Sequence, residues 1–269
     1  MSLPMPRAPR PTPHVPCPTP LTLAALVLLV SVAHTASAQD ARQIMTEAQR
    51  RSEATSQHYE GLLQVIDAKG KVSDKRWEFD RLGSAGTSRS VLRFTSPAEV
   101  KGVALLIVNH PERASDQWMW TPAIQRERRI AFQDRSTRFF GTDFSFEDLE
   151  ERDTDQFDYE LDGDETIDGG ACWKVESRPR KTKSSQYSSS LVWVRKDNYA
   201  FQRIENFIKG EVVRRLKYSR IEKVQDIWTA RVLEMHDLRR NSRTVLTFDK
   251  LQYNVPVKEE DFSLQGIRR

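Results

Sequence analysis

Residues 76–81 read Arg76-Trp77-Glu78-Phe79-Asp80-Arg81, and their two-residue period decides the fold. Trp77, Phe79 and Arg81 point one way, and Arg76, Glu78 and Asp80 the other, which is the signature of a strand with one face in and one face out. The same period recurs through the chain. Leu92 and Phe94 alternate with Val91 and Arg93, Trp173 and Val175 with Lys174 and Glu176, and Leu191 and Trp193 with Val192 and Val194. Phe201 to Asn206, Val212 to Tyr218, Ile227 to Met235 and Val245 to Tyr253 supply further strands. Turn-forming pairs separate them, among them Lys69-Gly70, Gly169-Gly170, Asp197-Asn198 and Lys209-Gly210. About ten strands joined by hairpin-length connections predict an antiparallel meander that curls into a barrel or half-barrel.

Ahead of the strands, residues 40–57 read as one amphipathic helix with Ile44, Ala48 and Ala54 on its apolar side and Asp40 as N-cap. Residues 145–151, with the acid-rich stretch to Asp158, read as a short helix and loop between two runs of strands. Residues 39–269 are expected to form a single domain. The first 38 residues have the pattern of a cleaved export signal. Arg7 and Arg10 precede an apolar run from Leu21 to Val32, and Ala36-Ser37-Ala38 offers the small residues a signal peptidase accepts. That run is short of the ~20 residues a membrane-spanning helix needs. The mature chain is thus expected to begin at Gln39 and to work in the periplasm of a Gram-negative cell.

The formal charge of the 269-residue chain is +4, and two of its basic residues leave with the leader. No electrostatic footprint for nucleic acid remains. Cys17 leaves as well, so Cys172 has no intrachain partner and the core must hold the domain together. His58, His110 and His236 sit on separate strands, without metal-ligand spacing to one another or to Cys172. There is no Gly-x-Ser-x-Gly elbow and no phosphate-cradling glycine loop. Asp158 to Asp164 resembles the start of a calcium loop, but Gly169 stands where the closing glutamate belongs, and alternation with Tyr159 and Leu161 suits a strand. The acids from Glu147 to Asp158 read as a solvated face. No catalytic residue, metal or cofactor is assigned, and the chain is expected not to be an enzyme.

All six tryptophans, at 77, 118, 120, 173, 193 and 228, fall within expected strands. They fill a core or line a cavity for an apolar ligand, and the pattern alone leaves both open. On the cavity reading, Trp77, Phe79, Leu92, Phe94, Trp118, Trp120 and Trp193 form the concave face.

Two stretches carry a resemblance: Gln117-Trp118-Met119-Trp120-Thr121-Pro122, running on to Arg126, Arg128, Arg129 and Ile130, and Arg138-Phe139-Phe140-Gly141-Thr142-Asp143-Phe144-Ser145-Phe146-Glu147-Asp148-Leu149. Leu92 to Pro97 and Tyr253 to Pro256, with Phe262 beyond, agree with it. The chain resembles the periplasmic outer-membrane lipoprotein-sorting family in its LolA-like branch, apart from the well-studied carrier, over roughly residues 40–265. The resemblance implies an unclosed antiparallel barrel of about eleven strands with an N-terminal helix and short helices as a lid over its concave face. It implies a cavity for acyl chains of lipids or lipoproteins, moved across the envelope toward the outer membrane. The family-signature and lid positions are Arg126, Arg129, Arg138, Gly141, Asp143, Phe144, Glu147 and Asp148. The carrier's lid-latching arginine precedes a proline, and Arg89 and Arg93 here do not, so the latch is not carried over.

The expected function is therefore a monomeric periplasmic carrier, its lid made by the N-terminal helix and residues 141–152. The alternative is a non-enzymatic accessory or sensor subunit of a resistance-nodulation-division type exporter, an inner-membrane transporter partner that the resemblance also implies. Arg126, Arg128, Arg129 and Arg138 are expected either to pair with the acids of 147–158 or to meet anionic head groups.

Overall fold

The computed structural model describes residues 40–269. The expected export signal, residues 1–38, lies outside the described residues. The described residues belong to one compact unit. One α-helix, α1 (residues 40–51), leads into thirteen strands: β1 (Ser56–Ile66), β2 (Val72–Leu82), β3 (Arg89–Ser96), β4 (Ala104–Val108), β5 (Asp116–Thr121), β6 (Arg126–Arg129), β7 (Phe157–Ile167), β8 (Gly170–Pro179), β9 (Ser189–Arg195), β10 (Phe201–Ile208), β11 (Glu211–Val224), β12 (Ile227–Asp237) and β13 (Ser242–Tyr253). The mainly β, unclosed antiparallel barrel is as expected, with thirteen strands in place of about eleven. The helix is shorter than the expected 40–57. Ala54 is held by Ser84, whose hydroxyl accepts from its N–H at 3.0 Å and donates to its carbonyl at 2.7 Å. Pairing of β1 then begins at Ser56.

All thirteen strands belong to one sheet in the order β6-β5-β4-β3-β2-β1-β13-β12-β11-β10-β9-β8-β7. Two meanders are thus zipped together where the first strand meets the last. This order has a consequence for the loop between them. Strands β6 and β7 are adjacent in sequence yet form opposite edges of the sheet, so residues 130–156 must cross from one edge to the other. They do so over the inner face, as a strap.

Across the inner face the register lines up Trp77 with Phe94, Phe79 with Leu92 and Leu92 with Leu105. It continues through Tyr59 and Leu251 at the β1–β13 seam to Leu246–Leu233, Leu216–Met235 and Ile204–Leu216. Gly61 sits in this row between Trp77 and Phe248, at a register shift. A Cβ there would run into the Thr247 carbonyl oxygen. With no side chain in the way, the Trp77 and Phe248 rings meet edge to face with centroids 5.5 Å apart.

The main core lies between this inner face, α1 and the strap. A second apolar cluster lies on the outer face, where Phe262 and Ile267 of the C-terminal segment cover Val91, Ala104 and Leu106. A third, of Ile167, Cys172 and Trp193, lies on the outer face near the β7 edge. The stretch from Asp158 to Asp164 is part of β7, as its alternation indicated. Among the described residues no cluster of three or more His, Cys, Asp or Glu has metal-binding geometry.

Candidate functional site

The seven expected cavity residues divide between the two faces of the sheet. Trp77, Phe79, Leu92 and Phe94 are on the inner face, and three of them are buried in the main core with Phe79 packed against it. Trp118 and Trp120 pair with Leu106 and Ala104, so they lie on the outer face and pack under Phe262 and Ile267. Trp193 pairs with Lys174 and Arg203 and is also outward. Its Nε1–H donates to Glu165 at 2.8 Å. The expectation that all seven share one concave surface is therefore corrected. Strands β5 and β9 carry bulky residues on both faces, because the outer face is itself covered by apolar neighbours.

The inner quartet does not border a hollow either. The strap lowers Phe139, Phe140, Phe144 and Phe146 onto it. Phe139 stacks on Phe94 at 5.4 Å, with Phe140 and Phe146 edge-on around them. Each ring of this group is worth more than its buried area alone, because offset and edge-on pairs satisfy the ring quadrupoles. That half of the concave face, over β2 to β5, is solid.

What pins the strap is a row of buried carboxylates. Asp143 is wholly buried and accepts from the hydroxyls of Ser242 and, at 2.7 Å, Thr244, both on β13. Arg138 adds a bond to it at 3.1 Å and caps the Gly141 and Thr142 carbonyls. Asp148 receives Arg214 of β11 at 2.6 Å, Tyr187 at 2.7 Å and the Ser145 N–H at 2.7 Å. Glu147 is held by the Ser185 hydroxyl and by the Gln186 N–H at 3.0 Å. Glu150 is clasped by Arg135, by Lys183 at 2.7 Å and by Gln117 at 2.8 Å. Glu151 meets Arg81 and Ser88. Burial raises the Glu151 pKa, a pull that Arg81 and Ser88 only partly offset.

The acids of 147–151 are thus anchors rather than a solvated face. Their partners are not those expected. Arg128 pairs with Asp134, Arg129 with Asp116 and Arg138 with Asp143, while Arg126 lies on the exposed edge strand. The cations that hold these acids are Arg135 of the strap itself and Arg81, Lys183 and Arg214, which no local spacing linked to it. Gly141 takes a positive φ of 74° at the bend of the strap, a backbone state that glycine adopts without strain.

A hollow does exist, over the other half of the sheet. A cavity of about 300 Å³ lies beneath α1, lined by Met45 and Gln49 of the helix and by Phe157, Phe201, Ile204, Leu216, Tyr218 and Met235 of the strands. The strap closes its polar end with Glu147, Asp148, Glu150, Glu151 and Arg152. A second space of about 250 Å³ adjoins it, sharing Ser52, Phe201 and Tyr218 and lined further by Tyr59, Trp228, Leu233 and Phe248. These volumes approach the ~300–1,000 Å³ range of small-ligand sites. Burial pushes the Tyr218 phenol well up, so its hydroxyl stays protonated. None of the seven expected residues lines either space. Those on the strand walls are ordinary aliphatic and aromatic positions. Only their alternation could have found them, as it gives Ile204 and Leu216 the same inward sense.

The helix over the hollow is tied by side chains near its two ends. Arg42 donates to the Phe157 carbonyl at 2.7 Å, pairs with Asp155 at 3.5 Å and lies 5.4 Å from the Tyr159 ring, the Thr154 N–H donates to Gln49 at 2.8 Å, and Arg51 lies 4.1 Å above the Tyr199 ring. Ala41, Met45 and Ala48 are its buried face, small side chains apart from Met45.

Comparison with known proteins agrees with this architecture. A family model whose description reads "-like: Uncharacterized protein" matches residues 86–269. Among solved structures, a Vibrio parahaemolyticus domain described as an outer membrane lipoprotein-sorting protein is similar, with 24% identity and a TM-score of 0.82, covering 86% of this chain and 100% of that one. A DUF1329 family protein from Desulfovibrio piger has 27% identity and a TM-score of 0.82, over 86% of this chain and 99% of its own. A LolA superfamily protein from Nitrosomonas europaea has 17% identity and a TM-score of 0.67, over 84% of this chain and 98% of its own. No curated protein matches. The chain belongs to the family of that model, and its fold is the LolA-like one that the resemblance implied.

Proposed function

We propose that this protein is a periplasmic carrier that holds acyl chains of lipids or lipoproteins in the hollow beneath α1 and hands them on toward the outer membrane. One observation carries the reading: two adjoining spaces beneath α1 whose strand walls are aliphatic and aromatic and whose polar end is closed by the strap. Burying a chain of about 15 methylenes at ~0.8 kcal/mol each is worth on the order of 12 kcal/mol, and a bilayer offers nearly the same. Transfer then turns on a small difference, which displacement of the helix can supply. The export signal at residues 1–38 supports the periplasmic setting.

The second reading, a docking subunit beside an envelope exporter, draws on the edge at β6. Ile124 and Phe132 are exposed at either end of this arginine-rich strand, at 67% and 57%. Native mass spectrometry of protein purified from its own periplasm separates the two. A carrier brings lipid-sized adducts, and Leu216→Trp, which fills the hollow, removes them. Trp118→Ala with Trp120→Ala leaves them in place, since these rings face away. A preparation without lipid but with a stoichiometric protein partner would overturn the carrier reading in favour of docking.

A further inference from the structure

Arg152 is the cation of the hollow that no carboxylate answers. Three basic side chains line the cavity, and two are neutralised: Arg81 by Glu151 and Lys183 by Glu150. Among the described residues, Arg152 makes no ion pair. Nor can residues 1–39 supply one, because they contain no Asp or Glu. The four lining acids are all engaged elsewhere, Glu147 by Ser185 and Gln186, Asp148 by Arg214, and Glu150 and Glu151 as above.

The guanidinium has some compensation. Its Nη2 donates to Ser177, and its Cζ lies 4.2 Å from the centroid of the Phe157 ring. Its Nε is buried without an acceptor. A half-buried charge held only by neutral hydroxyls and a ring is incompletely satisfied, and an anion is what completes it. Beside it the Tyr159 hydroxyl is buried against the Arg152 guanidinium, and its O–H finds no acceptor. Burial raises the Tyr159 pKa, which keeps the phenol protonated. Apolar walls from Ile204, Leu216 and Met235 continue from this polar end.

Resting on the carrier reading, we propose that the hollow takes an anionic amphiphile, a single acyl tail ending in a carboxylate or phosphate, with Arg152 receiving the head group. Neutral acyl esters fit the walls but leave the guanidinium as it is. The preference expected from one charge-assisted contact in a partly dry site is about tenfold or more.

The test measures binding of palmitate, hexadecyl phosphate and methyl palmitate to delipidated protein by calorimetry, each below its micellar concentration. Wild type should bind one or both anions at least about tenfold more tightly than the ester. Whichever anion binds identifies the head group. Arg152→Met should abolish that difference while leaving the ester's affinity unchanged, and Arg152→Lys should keep part of it. If Arg152→Met does not fold, Arg152→Gln replaces it. Equal binding of acid and ester by wild type, or a preference that survives Arg152→Met, would overturn the proposal and leave the acyl cavity standing. Absence of binding by all three probes would overturn the cavity reading itself. Displacement of palmitate by equimolar acetate or inorganic phosphate would point to a free-anion site and overturn the amphiphile.

Discussion

Phe94 of β3 lies flat on Phe139 of the strap, ring centroids 5.4 Å apart and planes 16° from parallel. Both side chains are essentially inaccessible to water. The contact fills one half of the concave sheet with the protein's own rings and confines any ligand to the other half. Phe139→Ala should therefore cost about 3–5 kcal/mol of stability, through lost burial and a cavity that cannot collapse against a sheet. It should not create a lipid site in place of the one proposed beneath α1. Urea melts with native mass spectrometry of the same sample check both halves of the expectation.

The Asp148–Arg214 pair joins the strap to β11 with both side chains at least nine-tenths buried. Arg214→Met would leave Asp148 charged, buried and supported only by Tyr187 and Ser145, at a cost of about 3–5 kcal/mol. Replacing both partners, as Arg214→Met with Asp148→Leu, removes the stranded charge and should recover a large part of that loss. A double-mutant cycle by denaturant unfolding measures it. If the double variant is as unstable as the sum of the singles, the pair does not act as a unit.

The sheet was legible because alternation is a local property: Trp77 and Phe79 announce β2 without reference to anything else. The direction of each face was less so. Alternation says that Trp118 and Trp120 share a side, but not which side. The C-terminal residues Phe262 and Ile267, which give the outer face a cover, lie more than 140 positions away. The acids of the strap were misread for the same reason. A solvated run and a buried one have one composition, and the difference lies in Arg81 and Arg214, some 65 to 70 positions off in either direction. The hollow was expected, but its location follows from the strap crossing between opposite edges. That is a fact of strand order, not of any short stretch.

His58 should make stability depend on pH in a defined direction. Burial opposes its charge, but hydrogen bonds to Asp80 at 2.8 Å and Glu60 at 2.9 Å outweigh it, and the pKa is raised above 6.5. A raised pKa means the folded state holds the proton more tightly than the unfolded one. The stabilisation is fully present below pH 6.5 and is lost as pH climbs through the raised folded value. His58→Asn should therefore be less stable than wild type at pH 5.5, by roughly 0.5–1 kcal/mol for a partly exposed pair, and nearly equal to it at pH 9. Urea midpoints at the two pH values decide. A difference that grows toward alkaline pH would contradict the arrangement.

Cys172, the one cysteine among the described residues, lies 1% exposed between Ile167 and Trp193 on the outer face. Burial pushes its pKa up, and its Sγ–H points to the Gly170 carbonyl at 3.5 Å. Both effects suppress the thiolate, the form that reacts. Native protein at pH 8 should give almost no reaction with a disulfide reagent, and one equivalent after denaturation in guanidinium. Slow native labelling, where it occurs, reports opening of β7 to β9, the end of the sheet that lacks a neighbouring strand. Trp193→Ala uncovers the sulfur from one side and should speed labelling at least about tenfold without comparable loss of bound lipid, because this cluster faces away from the hollow. Rapid labelling of the wild-type protein would mean that the outer cluster is not packed. Loss of lipid in Trp193→Ala would mean that the two faces of β9 are not independent.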